Sequence, residues 1–265
     1  NRAVAAVSDA ALDAILMFAP ESQYWLTGYD TFGFAMFQCM ILTAQGDIHL
    51  LTRAPDRLQA LQTSTLSADH IHIWVDIEGV DPVARLMALL AELGVAPNRL
   101  GFESRTAGLT DYWGHRLRTA SPNLQDHSDL FPELRRHKSQ AEVDMHRRAA
   151  ALSDDALDAA LAHTHAGAFE GQILGAMQAA VLDAGGDYAG NEFIIGSGDG
   201  ALLCRSASGR RHLDAQDQLT LEWSGAFARY HAAMMQTLII GQPHEAHIRM
   251  HAAAHEALLA CEEAI

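Results

Sequence analysis

The chain has 265 residues, 49% of them hydrophobic and 19% charged, and a formal net charge of −15. That length holds two ordinary domains or one large one, and the acidity argues against nucleic acid or an anionic membrane as main partner, since either wants a basic patch. No apolar run approaches the ~20 residues that span a bilayer, and the opening NRAVAAVSDAAL lacks the basic-then-apolar order of a signal peptide. In chain order, Ala3–Leu12 reads as helix, Ala14–Phe18 as a short apolar strand closed by Pro20, and Tyr24–Asp30 as a strand-turn. Ala35–Thr43 and Asp47–Thr52 read as paired strands across Gly46. Asp56–Thr63 reads as helix, His70–Val75 as strand, Pro82–Leu93 as amphipathic helix and Arg99–Phe102 as strand. Thr110–Thr119 closes this half, with Thr110 as N-cap. Strands alternating with helices predict a layered α/β domain over residues 1–129.

The second half, 130–265, has a different rhythm. Lys138–Ala162 is a predicted helix with Ser139 as N-cap and Glu142 at capping-box spacing. Phe169–Ala184 is a second helix, stopped by Gly185-Gly186. A strand over Glu192–Ile195, a glycine-rich loop, a hairpin over Leu219–Ile240 and a helix from Ala246 complete the chain. No repeat or low-complexity segment interrupts this order. Cys39, Cys204 and Cys261 are odd in number and widely spaced, which reads as reduced thiols in a cytoplasm.

The hairpin LTLEWSGAFARYHAAMMQT, Leu219–Thr237, carries the chemistry. Leu219, Leu221 and Trp223 alternate and bring Glu222 up; a Ser-Gly turn is expected next, then a return strand through Tyr230 and His231. A carboxylate in so apolar a strand is costly to bury unpaired, and held there it suits a general base that activates water. Alternation also allows the plainer outcome, in which Thr220, Glu222 and Ser224 share one polar face. Tyr230 and His231 point to opposite sides. Period two gives His231 the face of position 233, making Glu222 and His231 candidate proton-transfer partners, with Tyr230 the weaker candidate. Against this, a hydrogen-bonded, half-buried histidine is common. Cys204 is readable as a nucleophile or as a small side chain that shapes a substrate pocket. His247, His251 and His255 stack at i, i+4, i+8, spacing that can hold zinc but reads better as a solvated helix face. The Gly196–Gly200 loop lacks the GK[ST] ending of a phosphate loop, and turns needing positive φ account for its glycines. Phe32 and Phe34 sit in an aromatic loop that either contacts substrate or packs at a domain edge.

Four stretches in order, PESQYWLTGYD (Pro20–Asp30), LRRHKSQAEVDMHRRAA (Leu134–Ala150), AGAFEGQILGAMQAAVLDAGGD (Ala166–Asp187) and GSGDGALLC…DQLTLEWSGAFARYHAAMMQT (Gly196–Thr237), resemble the creatinase / Xaa-Pro aminopeptidase family. The resemblance runs over nearly the whole chain. It implies an α/β creatinase-like N-terminal domain at 1–129, followed at 130–265 by the first half of an α+β pita-bread catalytic domain. Residue by residue it fails at the metal chemistry. The peptidases' loop histidine falls on Cys204. Their two metal-bridging aspartates fall on Glu222 and Ala233, and the arginine that follows falls on Gln236. A methyl group binds no cation. Creatinase, the metal-free branch, also has an alanine at the second position, but keeps the loop histidine and has a glutamate where Met235 stands. The family's ectoine hydrolases, which open a cyclic amidine, carry this kind of LTLE…YHA hairpin and are the nearest branch implied.

The resemblance therefore implies a cytoplasmic, homodimeric hydrolase of a C–N bond in a small amidine, guanidino or cyclic amide substrate, with no metal. Glu222, His231 and Tyr230 are its expected catalytic groups, and Cys204, Phe32 and Phe34 its expected substrate contacts. In creatinase-like dimers the loop matching Phe32 and Phe34 reaches the partner's site. Two alternatives remain open: an Xaa-Pro peptidase using Mn2+, Zn2+ or Co2+, and a non-catalytic binding protein on a degenerate scaffold. The family's C-terminal histidine and two glutamates have no counterpart in these residues, so the chain as given is expected to be an inactive fragment.

Overall fold

Helix α1 (Arg2–Asp9) turns Ala3 and Val7 inward and leads to strand β1 (Ala14–Met17), buried at every residue. A strand buried on both faces needs a covering layer on each, and the first half of the chain supplies both. The elements that follow are α2 (Pro20–Thr27), β2 (Cys39–Thr43), β3 (Ile48–Arg53), α3 (Arg57–Thr63) and β4 (Ile71–Trp74). Then come α4 (Pro82–Glu92), β5 (Leu100–Phe102), α5 (Asp111–Ala120), β6 (Gln125–Asp126) and α6 (Leu130–Arg135). The strands form one mixed sheet in the order β4-β3-β2-β1-β5-β6. Leu86, Leu89 and Leu90 of α4 and Leu117 of α5 share a core with Leu16, Ile41 and Leu51. Val7, Ala60 and Phe131, from α1, α3 and α6, share another with Ile15, Met40 and Leu50. Residues adjacent on a strand thus enter different cores, as the two-residue period requires. This computed structural model describes residues 2–205 and 209–265.

The chain divides into two compact units, Asn1–His137 and Lys138–Ile265. The division falls later than the expected 129/130 because α6 belongs to the first unit, where Phe131 is fully buried and stacks edge-on against Trp25. The other departure is α2. Tyr24–Asp30 was expected to be a strand-turn, but Pro20 starts a helix there and Gly28, at φ 78°, ends it with its N–H on the Tyr24 carbonyl. No side chain caps α2 from its own N-cap position. Glu103, buried beyond the end of β5 and thus beside the end of β1, instead holds the approach to the helix, accepting from the Phe18 and Ala19 N–H groups at 3.0 and 2.8 Å and from the Ser22 hydroxyl. The expected cap at Thr110 sits at the right place but makes no side-chain capping bond.

In the second unit α7 (Gln140–His163) opens on the expected capping box, in which Ser139 and Glu142 bond each other's backbone N–H. Next come α8 (Glu170–Asp183), β7 (Ile194–Ser197), β8 (Asp217–Phe227), β9 (Tyr230–Ile240) and α9 (Glu245–Glu263). The strands make an antiparallel sheet, β7-β8-β9. Both α7 and α8 lie on one face, where Leu152, Ala156, Ile173 and Met177 pack on Leu219, Leu221 and Trp223. The hairpin does not turn at Ser224-Gly225 as expected. Strand β8 continues through both, and the chain reverses at Ala228-Arg229, with φ of 48° and 64°. Two positive φ values give the primed turn that matches strand twist, here without the usual asparagine or glycine.

Gly225 is where α7 meets the sheet most closely. A Cβ there would lie 2.1 Å from the Ala149 carbonyl oxygen and 2.6 Å from the Ser153 nitrogen, both backbone atoms of α7. Gly225→Ala is expected to cost about 1–3 kcal/mol or more by overpacking. Gly175→Ala, where a methyl in the middle of α8 meets nothing within 4 Å, is expected to stabilise by about 0.5–1 kcal/mol. Urea denaturation of the two variants checks both signs.

Candidate active site

Strand β8 alternates as its sequence predicts. Leu219, Leu221 and Trp223 are buried toward the helices, while Thr220, Glu222 and Ser224 are half-buried on the opposite face. Register then decides what else lies on that open face, because residues directly paired across strands point the same way. Glu222 pairs with Met235 on one side and Ile194 on the other; Ser224 pairs with Ala233. The Glu222 and Ala233 positions therefore share a face as diagonal neighbours. No hydrogen bond or ion pair reaches the Glu222 carboxylate among the described residues, and its flanks are apolar: Ile194 is buried and Met235 is 63% exposed.

His231 shares that face but does not meet Glu222. It pairs with Ala226, four residues along the strand from Met235, roughly 13 Å away at strand rise. Both ring nitrogens are engaged: Nε2 accepts from the Gly190 N–H at 2.9 Å, and Nδ1 lies 3.0 Å from the Arg229 carbonyl oxygen. The expected Glu222/His231 proton-transfer pair is not assembled here. With the reversal at Ala228-Arg229, His231 lies on the second rung from the turn, at the hairpin tip. Tyr230 faces the helices. Its hydroxyl is 3.2 Å from Glu142 Oε1 and its ring meets His146 of α7 edge-on.

Cys204 is exposed. It follows a 3-10 turn, Gly198–Leu202, that leaves β7 where Ser197 pairs with Leu219. Of the loop's glycines only Gly198 has the expected positive φ; Gly196 serves a close backbone approach, and Gly200 meets neither need. Gly198 has φ 53°, and a Cβ on Gly196 would lie 2.4 Å from the Gly200 carbonyl oxygen. Phe32 is 80% exposed and stacks edge-on with Phe34, ring centroids 5.4 Å apart, in the first unit. Helix α9 buries none of its residues, which fits the solvated-face reading of His251 and His255; His247 is half-buried.

Two sets of residues escaped the sequence reading. One holds the loop that precedes Cys204. Arg211 Nη1 lies 2.7 Å from Ser197 Oγ and also donates to Asp217, while Asp217 accepts from the Gly198 N–H at 3.0 Å. Buried Glu170 accepts from the Arg211 N–H and the Ser197 hydroxyl. Burial works against charge on Asp217, but bonds from Arg211 and the Asp214 and Gln218 N–H groups outweigh it and hold the carboxyl below its usual range. An acid on the first residue of a β-strand, as Asp217 is, was the available sequence signal. The other set is the grip of α7 on the hairpin. Ser153 Oγ accepts from the Gly225 N–H and donates to the Ala232 carbonyl, each at 2.6 Å, and the Trp223 indole donates to the Ser153 carbonyl at 3.0 Å.

A layered α/β unit followed along the chain by a helix-backed antiparallel hairpin is a creatinase-type scaffold. Residues 1–137 match the Creatinase/Prolidase N-terminal domain, and residues 144–265 match Metallopeptidase family M24. The chain belongs to the creatinase/Xaa-Pro aminopeptidase family. Among curated relatives it is 23% identical over 265 residues to the ectoine hydrolase of Halomonas elongata, covering 93% of this chain and 66% of that one. It is 25% identical over 243 residues to an uncharacterised hydrolase/peptidase of Sinorhizobium fredii, covering 88% and 62%. The chain thus spans slightly under two thirds of the length of these relatives. Solved structures of similar fold include an Xaa-Pro dipeptidase from Bacillus anthracis, with TM-score 0.78 at 20% identity, covering 97% of this chain and 69% of that one. A prolidase from Thermococcus sibiricus gives TM-score 0.82 at 16% identity, covering 97% and 68%. At these identities the structures speak for the fold alone.

The metals implied by the family name do not fit the hairpin's side chains. Of its paired positions on the open face, Glu222 alone brings a carboxylate, beside Ala233, Ser224 and Met235. Among the described residues, no three His, Cys, Asp or Glu side chains are placed to hold a metal ion. No helix is long and apolar enough to cross a membrane. Ser153→Ala would leave the Gly225 N–H and Ala232 carbonyl without their partner, so it is expected to cost about 1–3 kcal/mol. Thermal or urea unfolding measures this, with Ser153→Thr, which keeps the hydroxyl, recovering part of the loss.

Proposed function

We propose that the complete protein hydrolyses a C–N bond in a small amidine, guanidino or cyclic amide substrate without metal, with Glu222 as general base. The observation that carries this reading is the Glu222 carboxylate itself: half-buried, unpaired among the described residues, flanked by Ile194 and Met235, and beside Ala233 where a second metal-bridging acid would stand. Glu222 takes a proton from water as the water oxygen bonds to the substrate carbon. The same proton then passes to the nitrogen as the C–N bond breaks, so one carboxylate serves both steps. In this reading His231 and Tyr230 hold the hairpin tip instead of moving protons.

Cys204, on the loop that leaves β7 three rungs from Glu222, is the proposed neighbour of the substrate. Phe32 and Phe34 are the proposed contacts from the first unit, delivered within a homodimer. Similarity to an ectoine hydrolase over 93% of this chain supports the substrate class. Similarity in fold to an Xaa-Pro dipeptidase supports a metal-dependent peptidase as the second reading.

The deciding experiment is metal analysis of the full-length gene product after dialysis against manganese and zinc, with assays on ectoine, guanidino acids and Xaa-Pro dipeptides. Far less than one ion per chain, EDTA-insensitive turnover of an amidine, and a loss of about 10²-fold or more in Glu222→Gln are expected. One or two ions per chain with EDTA-sensitive Xaa-Pro cleavage would make the protein a metallopeptidase. A protein that turns over none of these compounds sinks the assignment of substrate class.

A further inference from the structure

Three histidines absent from the site converge at the edge of the six-stranded sheet. His49 on β3 and His72 on β4 share a face, since His72 pairs with Leu51, two residues beyond His49. His49 Nδ1 and His72 Nε2 are 3.2 Å apart, a hydrogen bond between two rings. The His70 ring lies 4.8 Å from that of His49, with its Nδ1 held 2.8 Å from Ser67 Oγ. Asp47, from the turn before β3, acts on His49. Arg85 and Glu92 of α4, themselves ion-paired at 3.0 Å, act on His72.

An N–H···N bond between imidazoles needs one facing nitrogen with a proton and one without. A first added proton can sit on an outer nitrogen and leave the bond intact. A second removes its acceptor and sets two N–H groups against each other. Strand β4 is poorly placed to resist, because it is an edge strand bonded to β3 alone. We propose that the His49–His72 contact is an acid-sensitive latch that holds β4 on the sheet at neutral pH and lets it go when the pair is protonated.

The surroundings favour such behaviour. Burial, then the neighbouring His70 and His72, push His49 below the ordinary histidine range against the pull of Asp47. Burial, then Arg85, push His72 down against Glu92. A histidine depressed in the folded state contributes stability that is present above about pH 6.5, its unfolded value, and lost as pH falls below it. Release of β4 has a defined reach. The Trp74 indole donates to the Phe37 carbonyl at 2.9 Å, so β4 buttresses the segment that ends the Phe32–Phe34 loop. The latch does not rest on the hydrolase reading and stands or fails independently of it.

The test is amide hydrogen exchange on the 265-residue chain at pH 7.5 and pH 5, corrected for intrinsic rates. Peptides covering β4 are compared with those covering β1, in wild type and in His49→Gln/His72→Gln, whose amides can bond without titrating. In wild type, protection of β4 is expected to fall at least about tenfold more than that of β1. In the double variant the two strands should change together. Equal loss in β4 and β1 of the wild type, or the same selective loss in the variant, overturns the latch. Should the variant not fold, NMR titration of the wild-type histidine ring protons decides: His49 and His72 titrating clearly below pH 6.5 support it, and at or above that value they refute it.

Discussion

The contact between α7 and the hairpin fixes everything on the second unit's open face. Gly225 lets the helix backbone come within a methyl's width of the strand, and Ser153 uses one hydroxyl to satisfy the Gly225 N–H and the Ala232 carbonyl. The Trp223 indole closes the same contact from β8. Once these three are set, the parity of both strands is set, because the β8–β9 register runs one-to-one without a bulge and side chains alternate along it. Leu219, Leu221 and Trp223 must face α7 and α8. Glu222 must then face away from them, with Ala233 diagonal to it. A one-residue slip would bury the carboxylate against Leu152 and Met177 at a cost no hydrogen bond in that core offsets.

The first unit solves a different problem, that of a sheet covered on both sides. Its strands are too apolar to signal direction by alternation, so polar groups inside the layers locate the connections. Glu103 ties the end of β5 to the start of α2. Gln38 bonds Gln23, Gln23 bonds the Met17 carbonyl, and together they anchor the chain just after the Phe32–Phe34 loop to β1. Buried amides satisfied by one another specify a unique arrangement where apolar packing alone would tolerate several. Exposed Phe32 and half-buried Phe34 are thus carried on a hydrogen-bonded base.

Legibility in the sequence followed locality. The Ser139–Glu142 capping box, Gly198's positive φ and the β8 alternation depend on residues a few positions apart, and each stands where the sequence puts it. The turn at Ala228-Arg229 was hidden because neither residue carries a turn signal, whereas Ser224-Gly225 carries one for an unrelated reason: its glycine is needed for helix contact. Helix α2 was hidden because YWLT has the composition of a strand; Pro20 and Gly28, correctly spaced as start and stop, outweigh it in the fold. The Ser197–Arg211–Asp217 cluster left only one local trace, the acid Asp217 on the first residue of a strand, because its members come from three separate segments.

The position of the turn governs which residue stands opposite Glu222. With a two-residue reversal at 224–225, Phe227 would stand opposite Glu222 and His231 opposite Gln218, again four residues along the strand from the carboxylate. With reversal at 228–229, the rung opposite Glu222 is Met235, and His231 is tied to Gly190 and Arg229 at the tip. Glu222 is left as the titratable group of the hairpin's open middle rungs, between apolar neighbours. That arrangement suits a base whose proton goes to the leaving nitrogen. It suits a two-metal centre poorly, since each bridging ion needs acids from both strands and β9 supplies a methyl group at that point.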